Sequence, residues 1–165
     1  MAEVSNSKLL KTGTGIPKKD AFIVLVKTEW NAAIVDELEK GCREKLEVYK
    51  VKKVITIVVP GAFEIPFAIK NYWEKAGKKK KPDAFVALGC VIRGDTPHFD
   101  YVCRYVTDGI LLLNMQINVP SIFGVLTVND EQQALERVGG IHGNKGEEAA
   151  ITAIKMITLN RKLKE

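Results

Sequence analysis

Apolar residues along the chain alternate between short continuous runs and longer segments with helical spacing. Four short runs are largely apolar, and the first of them, at 22–26, is continuous and rich in β-branched residues, which is typical of a strand covered on both faces. The segments between them carry apolar residues three or four positions apart, as in Ile34, Leu38 and Cys42, so these side chains share one face of a helix. The pattern predicts strands at 22–26, 54–59, 84–88 and 121–127, and helices at 31–49, 62–76, 99–117, 130–138 and 146–163.

Strands that alternate with helices form a parallel sheet with helices on both faces. The 165 residues suit one domain and fall short of the ~250 residues that an eight-stranded barrel typically needs. We therefore expect an α/β fold in which helices flank a four-stranded parallel sheet, within a single domain over residues 1–165. Residues 1–20 contain Gly13, Gly15 and Pro17 and are predicted to form a flexible or intersubunit arm.

Composition and charge exclude several classes of protein. Charged residues make up 27% of the chain and the mean hydropathy is -0.03, values that exclude a disordered or membrane-spanning chain. The net charge of +5 comes largely from the lysine run at 78–81 and from cations near the carboxyl end, so neither nucleic-acid nor membrane binding is expected. Three scattered cysteines and the lack of a secretory leader favour a reducing cytoplasm.

Ligands of open parallel sheets bind beyond the carboxyl ends of the strands, so the residues that follow each predicted strand are candidates for a site. Trp30 offers a flat indole to a heterocycle, although a Trp in a core or an interface is commoner, and Asn31 can cap the next helix. After the second strand, Gly61 and a helix start offer backbone N–H donors, and Phe63 offers a second aromatic face. The alternative is a plain helix entry, with Glu64 in the first turn where its charge suits the helix dipole.

The segment with the most chemistry follows the third strand and reads GCVIRGDTPHFD over residues 89–100. Thr96 is predicted to be the N-cap of a helix whose first residue is Pro97, and a helix amino terminus with unpaired N–H groups binds phosphate. His98 would then lie beside the anion and transfer a proton near neutral pH. The alternative is an ordinary helix start with a surface histidine. Cys90 is expected to be a buried thiol rather than a nucleophile.

Other chemistries lack their motifs. The cysteines and histidines have no zinc-ligand spacing, and no acidic cluster supports a metal. The chain has no G-x-S-x-G motif, and its glycine-rich segments at 13–15 and 139–146 match neither nucleotide-binding fingerprint. The residues therefore favour a metal-free site that binds a phosphate and a flat ring.

Seven motifs in a fixed order resemble those of the lumazine synthases of riboflavin biosynthesis. The resemblance extends from about Val24 to the end of the chain and implies a flavodoxin-like three-layer sandwich. It implies condensation of 5-amino-6-ribitylamino-2,4(1H,3H)-pyrimidinedione with 3,4-dihydroxy-2-butanone 4-phosphate, releasing phosphate and water, with no metal or organic cofactor. The motifs are Trp30-Asn31, VPGAFEIP at 59–66, ALGCVIRGDTPHFDY at 87–101, FGVLT at 123–127, Glu131-Gln132, Arg137 and GNKG at 143–146.

The resemblance also implies a role for each matched residue. Trp30 would stack on the pyrimidine, His98 would transfer protons and Arg137 would bind the phosphate. The side chain of Asp95, within the phosphate loop, is expected to point away from the anion. The remaining matches are Asn31, Ala62, Phe63 and Glu64 for the ribityl chain, the backbone of Cys90, Val91 and Ile92 for the pyrimidine, Gly94, Asp95 and Thr96 for the phosphate, and Phe123 and Lys145 from the neighbouring subunit.

A site shared between subunits implies a homo-oligomer. The family forms pentamers, and in some members twelve pentamers close into a shell of sixty, which the short segment at 139–146 favours. Two rival interpretations remain. The archaeal type of riboflavin synthase shares the fold, but the GDTPHFD stretch argues against it. A non-catalytic flavin- or lumazine-binding protein would keep Trp30 and Phe63 but would not need both His98 and Arg137.

Overall fold

The computed structural model of the protein describes residues 20–164, so the predicted arm lies outside the described residues apart from Asp20. Among these residues, no helix combines the length and the apolar composition needed to cross a membrane. The strands are β1 (Phe22–Thr28), β2 (Lys53–Val59), β3 (Ala84–Ile92), β4 (Ser121–Val128), β5 (Val138–Gly140) and β6 (Gly143–Asn144). The helices are α1 (Ala32–Val48), α2 (Ile65–Lys75), α3 (His98–Gln116), α4 (Glu131–Leu135) and α5 (Lys145–Lys162), and short 3-10 turns lie at Ala62–Glu64 and Lys78–Lys80.

The first four strands form one parallel sheet in the order β2-β1-β3-β4. Six of the seven residues of β1 are buried, as expected for an apolar, β-branched run in the middle of the sheet. Alternate residues of β1 and β3 point to opposite faces: Leu25 packs in a core with α1 and α5, whereas Val24 packs in a second core with α2 and α3. This arrangement confirms the predicted α/β sandwich, with helices on both faces of a four-stranded parallel sheet.

Two strands differ from their predicted form. β3 continues through Gly89 to Ile92, four residues past the predicted end, because it stays paired with β4 as far as Val128. β2 was expected to be a second buried strand, but only Val59 at its end is buried. Its position at the edge of the sheet explains this difference, since an edge strand has a neighbour on one side only.

The predicted helices form, with changes at their ends. The segment at 62–76 begins as a 3-10 turn before it becomes α2, and the helix predicted over 130–138 ends at Leu135. The glycine-rich segment that follows is a small antiparallel hairpin of β5 and β6, which the periodicity did not predict. Gly139 and Gly143 have φ angles of 125° and 69°, a left-handed region that favours glycine and allows the tight reversal.

A charged network ties α1 to the sheet close to the carboxyl end of β1. Lys27 Nζ lies 2.7 Å from a carboxylate oxygen of Asp36 and 2.7 Å from one of Glu39. Glu39 also accepts hydrogen bonds from Thr56 of β2 at 2.6 Å and from Arg43 at 2.8 Å. Burial by itself would raise the pKa of Glu39, but the hydrogen bonds from Lys27, Thr56 and Arg43 outweigh it and lower that pKa to about 2.

Candidate functional site

The carboxyl ends of β2, β1 and β3 lie side by side where the chain leaves β1, and we call the space beyond these three ends the crevice. The connections after β1 and β3 run to opposite faces of the sheet, so this is the switch point at which such sheets bind ligands. Backbone hydrogen bonds close one side of it, from Glu29 N to Val59 O at 2.9 Å and from Trp30 N to Pro60 O at 3.2 Å. The turn after β1 is therefore held rigidly against the turn after β2.

One edge of β3 is open at this crevice. The last pair between β1 and β3 joins Lys27 to Leu88, so the four residues from Gly89 to Ile92 extend beyond β1. On their other side these residues stay paired with β4. Alternate residues of a strand direct their backbone groups to opposite neighbours. Cys90, whose carbonyl accepts from Asn31, and Ile92 therefore present theirs to the crevice, whereas Val91, like Arg93, directs its own to β4. The resemblance implied backbone contacts to a flat ring from all three residues.

Trp30 and Glu64 converge on Gly61. A Cβ atom built on Gly61 would lie 3.1 Å from Glu64 Oε2 and 3.4 Å from Trp30 Cδ1. The indole is 73% exposed, so it is not a core residue and its ring is accessible to a planar ligand. The two turns that the sequence placed at separate strand ends therefore form one surface with an aromatic ring beside a carboxylate.

Asn31 does not cap α1 with its side chain, so this part of the prediction was wrong. Its backbone is left-handed, with φ 56° and ψ 43°, whereas a capping residue is normally extended. Its Nδ2 instead donates a 2.9 Å hydrogen bond to Cys90 O on β3. Asn31 therefore joins the end of β1 to the open edge of β3.

Phe63 has one face of its ring covered. The ring stacks on Tyr105 of α3, with centroids 3.5 Å apart and planes 10° apart. It is 44% exposed, while the neighbouring Ala62 is buried. Sequence reasoning did not identify Tyr105, because no local pattern links two aromatic residues on separate helices.

Cys90 is a buried thiol, as predicted. Burial raises its pKa to about 11, which leaves almost no thiolate at neutral pH. Its carbonyl oxygen, which accepts the hydrogen bond from Asn31, is the group that faces the crevice. The thiol of Cys90 is therefore a poor nucleophile, and its backbone carbonyl links β3 to the turn after β1.

The loop from Gly94 to Pro97 leads into α3 and is exposed throughout. The predicted N-cap at Thr96 was wrong: α3 begins at His98, Pro97 occupies the cap position, and no side chain caps the helix. The helix therefore starts one residue later than predicted. Pro97 precedes the first helical residue, with φ -64° and ψ -2°, and its carbonyl accepts a hydrogen bond from Asp100 N at 3.0 Å. Thr96 and His98 are exposed, and no other described side chain hydrogen-bonds to theirs.

Arg137 lies between α4 and β5, with a side chain that is 19% exposed. Its Nη1 donates to Gln133 O at 2.8 Å and lies 3.9 Å from a Glu136 carboxylate oxygen. Among the described residues, no group accepts a hydrogen bond from its Nε or Nη2. Its carbonyl accepts from Lys145 N at 2.9 Å, which fixes Arg137 relative to the start of α5.

Phe123 and Lys145 line a different surface, an open groove of about 950 Å³ between β4 and α5. Lys145 is 6% exposed and pairs with Glu148 at 2.5 Å, while Phe123 is 41% exposed. The groove includes none of the residues in the turns that come directly after β1, β2 and β3. One chain therefore brings Trp30, Glu64 and the open edge of β3 together but leaves Phe123 and Lys145 elsewhere.

Known proteins resemble this chain over most of its length. The family model described as 6,7-dimethyl-8-ribityllumazine synthase matches residues 20–161. A protein of that name from Parabacteroides distasonis is 49% identical over 140 residues, covering 84% of this chain and 85% of its own. One from Porphyromonas gingivalis is 48% identical over 145 residues, covering 87% and 88%. Because the matched segment contains the whole sheet and every described site residue, the chain belongs to the 6,7-dimethyl-8-ribityllumazine synthase family.

Proposed function

We propose that this chain condenses 5-amino-6-ribitylamino-2,4(1H,3H)-pyrimidinedione with 3,4-dihydroxy-2-butanone 4-phosphate to give 6,7-dimethyl-8-ribityllumazine, phosphate and water, in riboflavin biosynthesis. The observation that carries the proposal is the open edge of β3 beside the exposed Trp30, in a chain of this family. A flat heterocycle needs an aromatic face and fixed backbone hydrogen bonds, and the crevice offers both.

The pyrimidine is assigned to the crevice. Its ring stacks on Trp30, and its polar edge bonds to the backbone groups of Cys90 and Ile92 that face the crevice. The ribityl chain runs past Asn31 and the turn that spans Gly61 to Glu64, where the carboxylate and backbone groups bind hydroxyls. Support comes from the convergence of Trp30 and Glu64 on Gly61.

The phosphate of the second substrate is assigned to the loop of Gly94, Asp95 and Thr96, at the amino terminus of α3. Unpaired N–H groups and the helix dipole favour an anion there. A Cβ atom built on Gly94 meets nothing within 4 Å, so the backbone is open to a ligand. The Asp95 carboxylate points away from the phosphate, and Arg137 supplies the cation that binds the anion and steadies its departure.

His98 is assigned to proton transfer, because its exposed side chain begins α3 directly after the phosphate loop. The amine of the pyrimidine attacks the ketone, an imine forms, phosphate leaves and the second ring closes. Each of these steps moves a proton, a task for which positioned histidines typically contribute about 10²–10⁴-fold. Holding the two substrates in the correct orientation can lower the activation barrier by up to about 7–11 kcal/mol, so positioning accounts for more of the rate enhancement than proton transfer does.

The complete site is assigned to two neighbouring subunits of a pentamer, with Phe123 and Lys145 contributed across the interface. Their separation from the crevice within one chain supports this assignment. An apolar face on α2 and α3 also fits a second copy, since Phe67 and Met115 are 68% and 79% exposed. We also propose that twelve pentamers assemble into a shell and that the protein is cytoplasmic. Sedimentation distinguishes an assembly of five copies of the 18.3 kDa chain from one of sixty.

The direct test is the formation of lumazine fluorescence from the two substrates above the uncatalysed background. We expect His98→Ala to lower kcat about 100-fold while both KM values stay close to those of the parent. His142→Ala, which removes the chain's other histidine, is the matched control and should keep the parental kcat. Equal turnover in His98→Ala and the parent would exclude the catalytic role.

Arg137→Ala should mainly raise KM for the butanone phosphate, because it removes the cation that binds the phosphate. Arg137→Lys restores the charge without the planar fork and should recover part of the affinity. If the parent binds lumazine or flavin tightly but forms no product, the chain is a binding module instead.

The shared site has a test of its own. His98→Ala and Phe123→Ala are each expected to be nearly inactive, but their lesions lie on different surfaces. Refolding equal amounts together gives mixed rings in which about one quarter of the interfaces are intact, if mixing is random. Activity near a quarter of the parental value supports the shared site. A mixture no more active than its components would place all the groups within one chain.

A further inference from the structure

A single residue, Arg93, contacts both ends of the loop that precedes α3. Arg93 directly follows β3, and its backbone N donates to Val128 O at 2.9 Å, which fixes the position of Arg93 on the sheet. Its Nη2 donates to Asp100 Oδ1 at 3.1 Å, and its guanidinium lies 4.1 Å from the centroid of the Phe99 ring. Its Nε donates to Asn129 Oδ1 at 3.3 Å, in the turn that follows β4.

These contacts span the five residues from Gly94 to His98. All five are exposed, and no side chain among them hydrogen-bonds to another described residue. The contacts of Arg93 with Phe99 and Asp100 therefore hold the far end of the loop next to its start. A guanidinium suits this task because its planar face stacks on a ring while its edge donates to a carboxylate.

We infer that Arg93 is a positioning residue, which sets the geometry of the 94–98 loop for phosphate binding and for proton transfer by His98 without contacting substrate. The inference rests on the proposed function of that loop. Arg93 has 44% side-chain exposure, so its ion pair with Asp100 contributes little to overall stability. Its effect is expected to be local, on the conformation of the exposed loop between its contacts.

The effect on the reaction is expected to fall on one substrate. The loop binds the phosphate, whereas the pyrimidine binds to Trp30 and the open edge of β3. Arg93→Ala should therefore raise KM for the butanone phosphate and the inhibition constant of inorganic phosphate about tenfold, and lower kcat similarly because His98 is displaced. KM for the pyrimidine should change less than about twofold.

Arg93→Lys separates positioning from charge. Lysine keeps the positive charge near the loop but loses the planar face and the fork of donors, so it should recover little of the lost phosphate affinity. Full recovery in Arg93→Lys would mean that Arg93 acts as a point charge, which overturns the inference. The matched control is Arg161→Lys, which weakens the 3.0 Å ion pair with Asp83 at the opposite end of the sheet and should leave both KM values unchanged.

Hydrogen exchange gives a readout that does not depend on activity. Amide exchange in a peptide covering residues 93–102 should accelerate about tenfold in Arg93→Ala and Arg93→Lys, and stay parental in Arg161→Lys. Unchanged exchange and unchanged phosphate inhibition in Arg93→Ala would overturn the inference. A parent protein that forms no lumazine would refute the proposed function separately, and the exchange data would still decide whether Arg93 holds the loop.

Discussion

The link between Asn31 and Cys90 offers a sharp test of how the crevice is built. Asn31 combines a left-handed backbone with a hydrogen bond from its side chain to Cys90 O. A residue other than Gly, Asn or Asp costs roughly 1–2 kcal/mol in this conformation, and a typical side-chain hydrogen bond contributes about 0.5–1.5 kcal/mol. Asn31→Ala loses the bond and adds the strain, so it should lower the free energy of unfolding by about 2–3 kcal/mol.

Asn31→Gly separates the two contributions. Glycine also loses the hydrogen bond but tolerates a φ of 56°, so the loss should be about 1 kcal/mol smaller than for alanine. Asn31→Asp keeps the shape and the backbone tolerance but places a carboxylate oxygen against Cys90 O. It should therefore be at least as damaging as Asn31→Ala.

The chain contains a matched control for the backbone contribution. Lys50 has a φ of 58°, and among the described residues none accepts a hydrogen bond from its side chain. Lys50→Gly should therefore stabilise the protein, by up to about 1 kcal/mol, whereas Asn31→Gly destabilises it.

Urea unfolding followed by circular dichroism measures these differences, at one fixed protomer concentration because assembly adds to apparent stability. The gap between Asn31→Gly and Asn31→Ala corresponds to about 2–4 °C in Tm for a chain of this size. If Asn31→Ala proves as stable as Asn31→Gly, the account of the left-handed turn is refuted. If Asn31→Asp matches the parent, the bond to Cys90 contributes nothing.

Three further perturbations test other parts of the fold. The lowered folded-state pKa of Glu39 stabilises the protein by about 3 kcal/mol above pH 5. Acid titration should show that this stabilisation is lost as the pH falls towards 2. The stability of Glu39→Gln should not show this part of the pH dependence. Gly124→Ala should lower Tm markedly and displace Phe123, since its Cβ would lie 2.6 Å from Ala87 O. Ser121→Ala should raise Tm by a few degrees, because the buried hydroxyl has no hydrogen-bond partner among residues 20–164.

The order of strands and helices could be predicted because burial on both faces leaves a continuous apolar run, as in β1. The same pattern misled for β2, whose run at 54–59 is apolar except for Thr56. Whether such a run lies in the middle or at the edge of a sheet depends on the strand order, which no local pattern encodes. The hairpin of β5 and β6 escaped prediction because its strands contain only three and two residues, too few to show a period.

The meeting of Trp30 and Glu64 in one candidate site could also be predicted, because the carboxyl ends of parallel strands lie at one edge of the sheet. The contacts inside it could not. Asn31 bonds to a residue 59 positions away, and Phe63 stacks on Tyr105 of another helix. Such pairings depend on how the helices lie over the sheet, and this also explains why Arg93 was not identified although it lies within the most informative motif.

Positioning dominates the proposed chemistry, so the groups that hold the site should matter as much as those that touch substrate. Three parts of the candidate site are each fixed by a bond between elements: Asn31 holds the first turn to β3, Arg93 holds the proposed phosphate loop, and the backbone of Lys145 holds Arg137. A displacement of about 1 Å can cost 10²-fold in rate. The bonds that fix these segments to the rigid sheet should therefore determine how accurately the two substrates are oriented for reaction.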